Sequence, residues 1–71
     1  MKSYLLIEQE NGMISNLESY SSAAEARDAF EKCCKQHLVA PYGPKTLTSD
    51  CLGLAIGPTY SVQVFVREGY Q

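Results

Sequence analysis

The sequence predicts an α+β fold of order ββαββ, with one helix packed on one face of a four-stranded antiparallel sheet. Three observations predict it: an Asn-Gly turn between two strand-like runs, a serine-capped amphipathic helix, and two further β-rich runs around a Gly-Pro turn. With 71 residues, the chain has room for one small domain, residues 1–71. The pattern leaves the order of the strands in the sheet open.

The first two strands surround Asn11-Gly12, in the run SYLLIEQENGMISNLESY. An Asn-Gly pair supplies the positive φ values that a two-residue type I′ hairpin turn requires. In a regular hairpin closed by this turn, Leu6 faces Leu17 across the two strands. The opposite side of the sheet then carries the remaining large apolar residues of the hairpin, Leu5, Ile7 and Ile14.

A helix is predicted next, in the run SSAAEARDAFEKCCKQHL. Ser22, followed three residues later by Glu25, forms a capping box that satisfies free amide hydrogens at a helix start. The helix has to end before Pro41, and the segment APYGP is typical of a loop, which would present Tyr42. At about 100° per residue, one face of the helix gathers its less polar residues. These are Ala23, Ala26, Phe30, Cys33, Cys34 and His37.

The remaining chain contains two β-rich runs on either side of Gly57-Pro58, which predicts a second hairpin. The second run alternates cleanly between apolar and more polar positions, as expected of a strand with one buried face. Tyr60, Val62, Val64 and Val66 alternate there with Ser61, Gln63, Phe65 and Arg67.

The run FEKCCKQH raises the question of a metal site or a nucleophile. A zinc site built on Cys33, His37 and Cys51 lacks a fourth ligand, and a Cys-His nucleophile lacks an orienting group and an oxyanion donor. Free cysteines are among the most buried residue types, so core packing is the favoured interpretation of all three, including Cys34. We therefore expect reduced thiols, no metal, no cofactor and no enzymatic activity.

The charge of the chain limits the kinds of partner it can bind, and its hydropathy indicates where in the cell it acts. The formal net charge is -2 and only six Lys and Arg residues are present, which argues against a protein that binds nucleic-acid phosphates. A mildly acidic surface instead favours a protein partner with a basic patch. The apolar stretch near the N-terminus is too short for a signal-peptide core or a membrane span, so we expect a cytoplasmic protein.

The face of the sheet opposite the helix is predicted to be the binding surface. The helix is expected to pack on the side that carries Leu5, Ile7, Ile14, Leu52, Leu54, Ile56 and the three valines. The other side is then too apolar for a surface without a binding role. A homodimer that buries this face, or a register error that misassigns Leu6 and Leu17, are the alternatives. The predicted partner-binding residues on this face and in the loop are Tyr4, Leu6, Leu17, Tyr42 and Phe65.

In size and element order, with its SYLLIEQENG strand and Ser22-capped helix, the chain resembles the small phage-encoded anti-defence proteins of the anti-CRISPR type. The resemblance implies a stoichiometric inhibitor, in the host cytoplasm, that blocks a CRISPR-Cas effector by occupying its surface. It transfers no individual residue. One alternative is a nucleic-acid-binding or regulatory domain with Tyr4 and Phe65 as stacking platforms on the open face. Others are a phage structural component and a toxin-antitoxin component.

Overall fold

The computed structural model describes residues 2–43 and 50–68. In this part of the chain the elements are β1 (Lys2–Glu10), β2 (Met13–Tyr20), α1 (Ala23–His37), β3 (Cys51–Ile56) and β4 (Tyr60–Glu68). The strands form one antiparallel sheet in the order β2-β1-β4-β3, and α1 packs on one of its faces. The predicted α+β fold of order ββαββ is confirmed.

The turn of the first hairpin has the predicted conformation. Asn11 and Gly12 have φ values of 53° and 81°, and the flanking residues Glu10 and Met13 pair directly across the turn. The amide of Asn11 donates a hydrogen bond to the carbonyl oxygen of Thr59 at 2.8 Å. The turn between β1 and β2 therefore rests on the turn between β3 and β4.

A β-bulge interrupts the pairing of β1 with β2. Gln9 pairs with Ile14 and the preceding Glu8 pairs with Asn16, so that Ser15 is an extra residue on β2. The Ser15 hydroxyl donates to the carbonyl oxygen of Glu8 at 3.4 Å. From the bulge to the open end of the hairpin, each β1 residue pairs with a β2 residue one position later than in a regular hairpin.

The bulge makes the predicted pairing of Leu6 with Leu17 wrong. Leu6 lies opposite Glu18, and Leu17 lies opposite Ile7. The prediction assumed a hairpin without an extra residue, and in a strand a shift of one residue moves every following side chain to the other face. Leu6 and Leu17 therefore point to opposite faces of the sheet.

The predicted cap of the helix is confirmed. The amide of Glu25 donates to the Ser22 hydroxyl oxygen at 3.1 Å, which satisfies one of the free amides of the first turn. The helix ends at Leu38, which adopts a left-handed conformation with φ 55°, and the amide of Val39 donates to the carbonyl oxygen of Cys34 at 3.0 Å. This arrangement turns the chain toward the edge of β3.

The core lies between α1 and the covered face of the sheet. Phe30 fills its centre and lies against Gly53, where an added Cβ atom would come within 3.2 Å of the Phe30 ring. The missing side chain at Gly53 is therefore what allows the ring to approach β3. The buried core residues are Leu6, Ala26, Phe30, Cys33, Cys34, Ala55, Tyr60, Val62 and Val64.

The two outer strands of the sheet differ in how their edges are covered. The amide of Tyr42 donates to the carbonyl oxygen of Leu54 at 2.8 Å, so the segment after α1 runs along part of the β3 edge. Among the described residues, β2 pairs with β1 alone. Pro44, the last residue of the predicted loop, lies outside the described residues.

Candidate functional site

The face of the sheet that α1 leaves uncovered, here called the open face, follows from the strand register. Cross-strand partners share a face, and Leu6 and Val64 mark the covered one. The alternate positions therefore belong to the open face, where Ile7 lies between Leu17 and Gln63 and Phe65 lies opposite Leu5. The large apolar side chains of the open face are Leu5, Ile7, Ile14, Leu17, Leu54, Ile56 and Phe65.

Several of these side chains are strongly exposed. Ile14, Leu17 and Ile56 keep 60%, 56% and 52% of their surface accessible, and the other four are partly buried. Contiguous apolar patches of a few hundred Å² on a small protein usually mark an interaction site. The open face is therefore the strongest candidate site in the described part of the chain.

The open face carries almost no charge. Among the described strand side chains, Arg67 is the single charged one that the register places there, at the end of β4. Glu8, Glu10 and Glu18 all alternate onto the helix side of the sheet. These three carboxylates thus lie away from the apolar face.

The structure separates the predicted partner-binding residues. Leu17 and Phe65 lie on the open face, as predicted. The placement of Tyr4 and Leu6 there is wrong, because β1 pairs with β4 so that Leu6 lies opposite Val64, on the face that α1 covers. Leu6 is 1% exposed beneath α1, and Tyr4 packs against the same core. Whether the remaining residues contact a partner stays a prediction.

Tyr42 lies outside the sheet but next to it. Its backbone pairs with Leu54 at the β3 edge, and 43% of its surface is accessible. The predicted exposed loop tyrosine is thus present at the β3 edge. Its role in binding stays a prediction.

The sequence pattern assigned five residues of the open face to the core instead, namely Leu5, Ile7, Ile14, Leu54 and Ile56. In β4 the assignment was correct, because Val62 and Val64 alternate with polar residues. β1 offers no such contrast, since its apolar residues occupy both faces. A usable signal was present in β3, where small Gly53 and Ala55 alternate with large Leu54 and Ile56.

A polar cluster borders the core on the helix side. The Tyr60 hydroxyl donates to a Glu8 carboxylate oxygen at 2.6 Å, and the Asn16 side-chain amide donates to the other at 2.7 Å. Burial alone would raise the pKa of Glu8, but hydrogen bonds from Tyr60, Asn16 and Cys33, with the nearby His37, outweigh burial and lower it. Burial and the bond to Glu8 raise the pKa of Tyr60. The cluster thus fixes an ionised carboxylate against a neutral phenol.

His37 closes this end of the core. Its ring stacks on the ring of Tyr60, with centroids 3.7 Å apart and planes inclined by 8°. Its Nδ1 atom lies 3.9 Å from a carboxylate oxygen of Glu10. Tyr60 is therefore held between a hydrogen bond and a stacked ring, which is a packing role for both side chains.

The three side chains of the considered zinc site are not brought together. Cys33 lies beneath α1, whereas Cys51 pairs with Phe65 on the open side and donates to the carbonyl oxygen of Gly53 at 3.3 Å. Residues 2–43 and 50–68 contain no group of three His, Cys, Asp or Glu side chains that could hold a metal ion. The geometry supports packing as the role of Cys33.

Neither helix cysteine is an activated nucleophile. Burial raises the pKa of Cys33 to about 11, and burial also raises the pKa of Cys34. The thiolate is the reactive form of cysteine, and its population at neutral pH falls about tenfold for each unit by which the pKa rises. Both thiols are therefore held in their unreactive form.

A groove of about 450 Å³ lies between α1 and β2, where the helix does not reach the edge of the sheet. Tyr20 donates to a carboxylate oxygen of Glu18 at 2.6 Å, and this bond raises the pKa of Tyr20 to about 12. The carboxylates that line the groove are Glu8, Glu18, Glu25 and Asp28. These carboxylates, on the helix side of the sheet, are the groups that would attract a basic partner.

The chain matches no protein-family model, no curated protein and no solved structure. Within the described residues, no helix has the length and apolar character needed to cross a membrane.

Proposed function

We propose that the chain is a protein-binding module that acts by stoichiometric association through the open face of its sheet. One observation carries this proposal: seven large apolar side chains share a face that the helix leaves uncovered.

The composition of this face suits a protein interface. Covering apolar surface contributes about 25 cal/mol per Å², and the near absence of charge avoids the desolvation penalty of burying unpaired ions. Phe65 lies on a central strand between Leu5 and Cys51, where an aromatic side chain can act as an interface anchor. Leu17, Phe65 and the adjacent Tyr42 are the proposed partner contacts.

The nucleic-acid alternative has less support. Of its two proposed stacking platforms, Tyr4 packs against the core under α1 and only Phe65 lies on the open face. Arg67 is the single described cation there, whereas single-strand binding needs a basic groove. We expect no retention of a labelled oligonucleotide in a fluorescence-polarisation titration near physiological salt. Micromolar binding would favour the alternative.

A narrower form of the proposal is a phage-encoded inhibitor that blocks a CRISPR-Cas effector in the host cytoplasm. The resemblance in size and element order to anti-CRISPR proteins supports it. The acidic groove between α1 and β2 would then face a basic patch on the effector. Titration of purified effector complexes with the chain tests this form, and failure to bind any of them would leave the broader proposal standing.

The broader proposal is tested by capture of a partner from host lysate, followed by titration of the identified protein. Phe65→Ala should weaken that binding roughly thirtyfold, the effect of removing about 2 kcal/mol at an interface anchor. Leu17→Ser should also weaken it. Met13→Ser is the matched control, because Met13 is 74% exposed on the same strand as Leu17 but pairs with Glu10 on the helix side.

Equal binding by the parent and by both open-face variants would reject the open face as the binding surface. The same titration with Tyr42→Ala tests whether the loop contacts the partner. A loss in Tyr42→Ala alone would place the contact at the β3 edge instead.

A further inference from the structure

We infer that the protein that covers the open face is a second copy of this chain, so that two sheets pack face to face. This inference rests on the proposed function, since it names the partner of the same surface.

The distribution of charge on the open face favours a second copy. An interface between identical surfaces brings like charges together, so it is tolerated best by a face that has few of them. The open face has Arg67 as its single described charged residue, at one end of β4. A two-fold axis that lies between the two sheets and perpendicular to the strands would place the two Arg67 side chains at opposite ends of the interface. The acidic strand side chains that the structure describes, Glu8, Glu10 and Glu18, would remain on the outer sides.

The area of the face is also compatible with this partner. Four strands of six to nine residues cover roughly 400–550 Å², given strands about 4.8 Å apart and a rise of roughly 3.3 Å per residue. Two copies would then bury roughly 800–1,100 Å², which reaches the lower limit of about 1,000 Å² for a specific interface. A dimer of this size is weak, with a Kd on the order of micromolar to tens of micromolar.

Face-to-face packing also follows the usual geometry of sheets. Two sheets whose inner faces are apolar pack about 10 Å apart with their strands inclined by about 30°. The partly buried side chains Leu5, Ile7 and Phe65, on the two central strands, would form the centre of such a sandwich. The strongly exposed Ile14, Leu17 and Ile56 lie toward the outer strands, where they would close its rim.

The test is sedimentation velocity of the full chain from about 1 µM to several hundred µM, concentrations that bracket the expected Kd. The parent should change from monomer to dimer over this range. Leu17→Lys should weaken association at least tenfold, because each dimer then holds two new charges within an apolar interface. Met13→Lys carries the same new charge on the same strand but on the helix side, and should change association less than twofold.

Ile56→Lys provides a second variant at the opposite edge of the sheet, where the side chain is also about half exposed. A parent that stays monomeric at every concentration would overturn the inference, while the proposed function would still stand if open-face variants lose a different partner. A dimer that both Leu17→Lys and Ile56→Lys leave intact would overturn it too. Such a dimer would use another surface, such as the unpaired edge of β2.

Discussion

The two faces of the sheet are both rich in large apolar residues, yet only one forms the core of the described chain. On the covered face, Leu6, Val62 and Val64 are at most 1% exposed. On the open face, Leu17 and Ile56 keep more than half of their surface accessible. Apolar character alone therefore does not determine which face the helix covers.

Side-chain size distinguishes the faces better than hydrophobicity does. On β3 the covered positions are Gly53 and Ala55, which leave room for Phe30, while Leu54 occupies an open position. A large side chain at position 53 would hold the helix away from the sheet. The helix thus packs where β3 is small, and Leu54 and Ile56 are left on the open face.

The largest expected contrast compares one phenylalanine from each face. Phe30→Ala should lower the free energy of unfolding by about 3–5 kcal/mol, because it leaves a cavity at the centre of the core. Phe65→Ala should leave the melting temperature within a few degrees of the parent. Urea denaturation of both variants measures the contrast. Equal losses would mean that the open face contributes as much to the stability of the monomer as the core does.

The stability contributed by the hydrogen bond between Tyr60 and Glu8, at the border of the covered face, should depend on pH. Tyr60→Phe removes the hydroxyl that donates to Glu8 and should cost about 1.5–3 kcal/mol at pH 7. Because the pKa of Glu8 in the folded chain lies below its ordinary value of 4.5, its ionisation stabilises the fold above that pH. This contribution is lost as the pH falls through the lowered pKa. The cost of Tyr60→Phe should therefore be smaller at pH 3 than at pH 7.

Tyr20→Phe is the matched control for that experiment. It removes a hydroxyl that donates to Glu18 at the same 2.6 Å distance, but on an exposed pair. Its effect on stability should stay within about 0.5 kcal/mol. A cost of Tyr60→Phe that is identical at both pH values would contradict the role assigned to the Glu8 carboxylate.

Gly53→Ala tests the size argument directly. The new Cβ atom would meet three atoms of the Phe30 ring at 3.2 Å, so the ring has to move by a few tenths of an ångström. We expect a loss of about 1–2 kcal/mol in chemical denaturation. Gly43→Ala should be close to neutral, since a Cβ atom there meets nothing within 4 Å. Stabilisation by Gly53→Ala would show that the covered face is loosely packed.

The smallest expected effect concerns the helix cysteines. Cys33→Ala should cost about 1 kcal/mol, the loss of a small buried side chain. In the folded parent, Cys33 and Cys34 should react with a thiol reagent at pH 7 far more slowly than in urea, because both are buried with raised pKa values. Elemental analysis should find no stoichiometric zinc. One metal ion per chain would contradict the packing role.

The sequence predicted the element order, the Asn11-Gly12 turn and the Ser22 cap, because each depends on neighbouring residues whose chemistry is visible locally. Of the four strand residues that it placed in the binding surface, two, Leu17 and Phe65, lie on the open face. It misplaced Leu6 and Tyr4 because both faces of β1 are apolar, so no local pattern shows that Leu6 pairs with Val64 on the covered face. It paired Leu6 with Leu17 because a bulge has no comparable signature: Ser15 is an ordinary strand-surface residue. Strand order depends on contacts between distant segments, which local patterns do not encode.

The bulge at Ser15 also bears on the solubility of the chain. A bulge bends and twists its strand, and an exposed edge that is bent and twisted is a poor template for adding further strands. Deletion of Ser15 would preserve the pairs of Glu8 with Asn16 and of Gln9 with Ile14, yet make β2 regular. The resulting flat edge, with exposed Ile14 and Leu17, would favour growth into fibrils. Faster light-scattering onset in the deletion variant than in Ser15→Ala would show that this one surplus residue protects the chain from polymerisation.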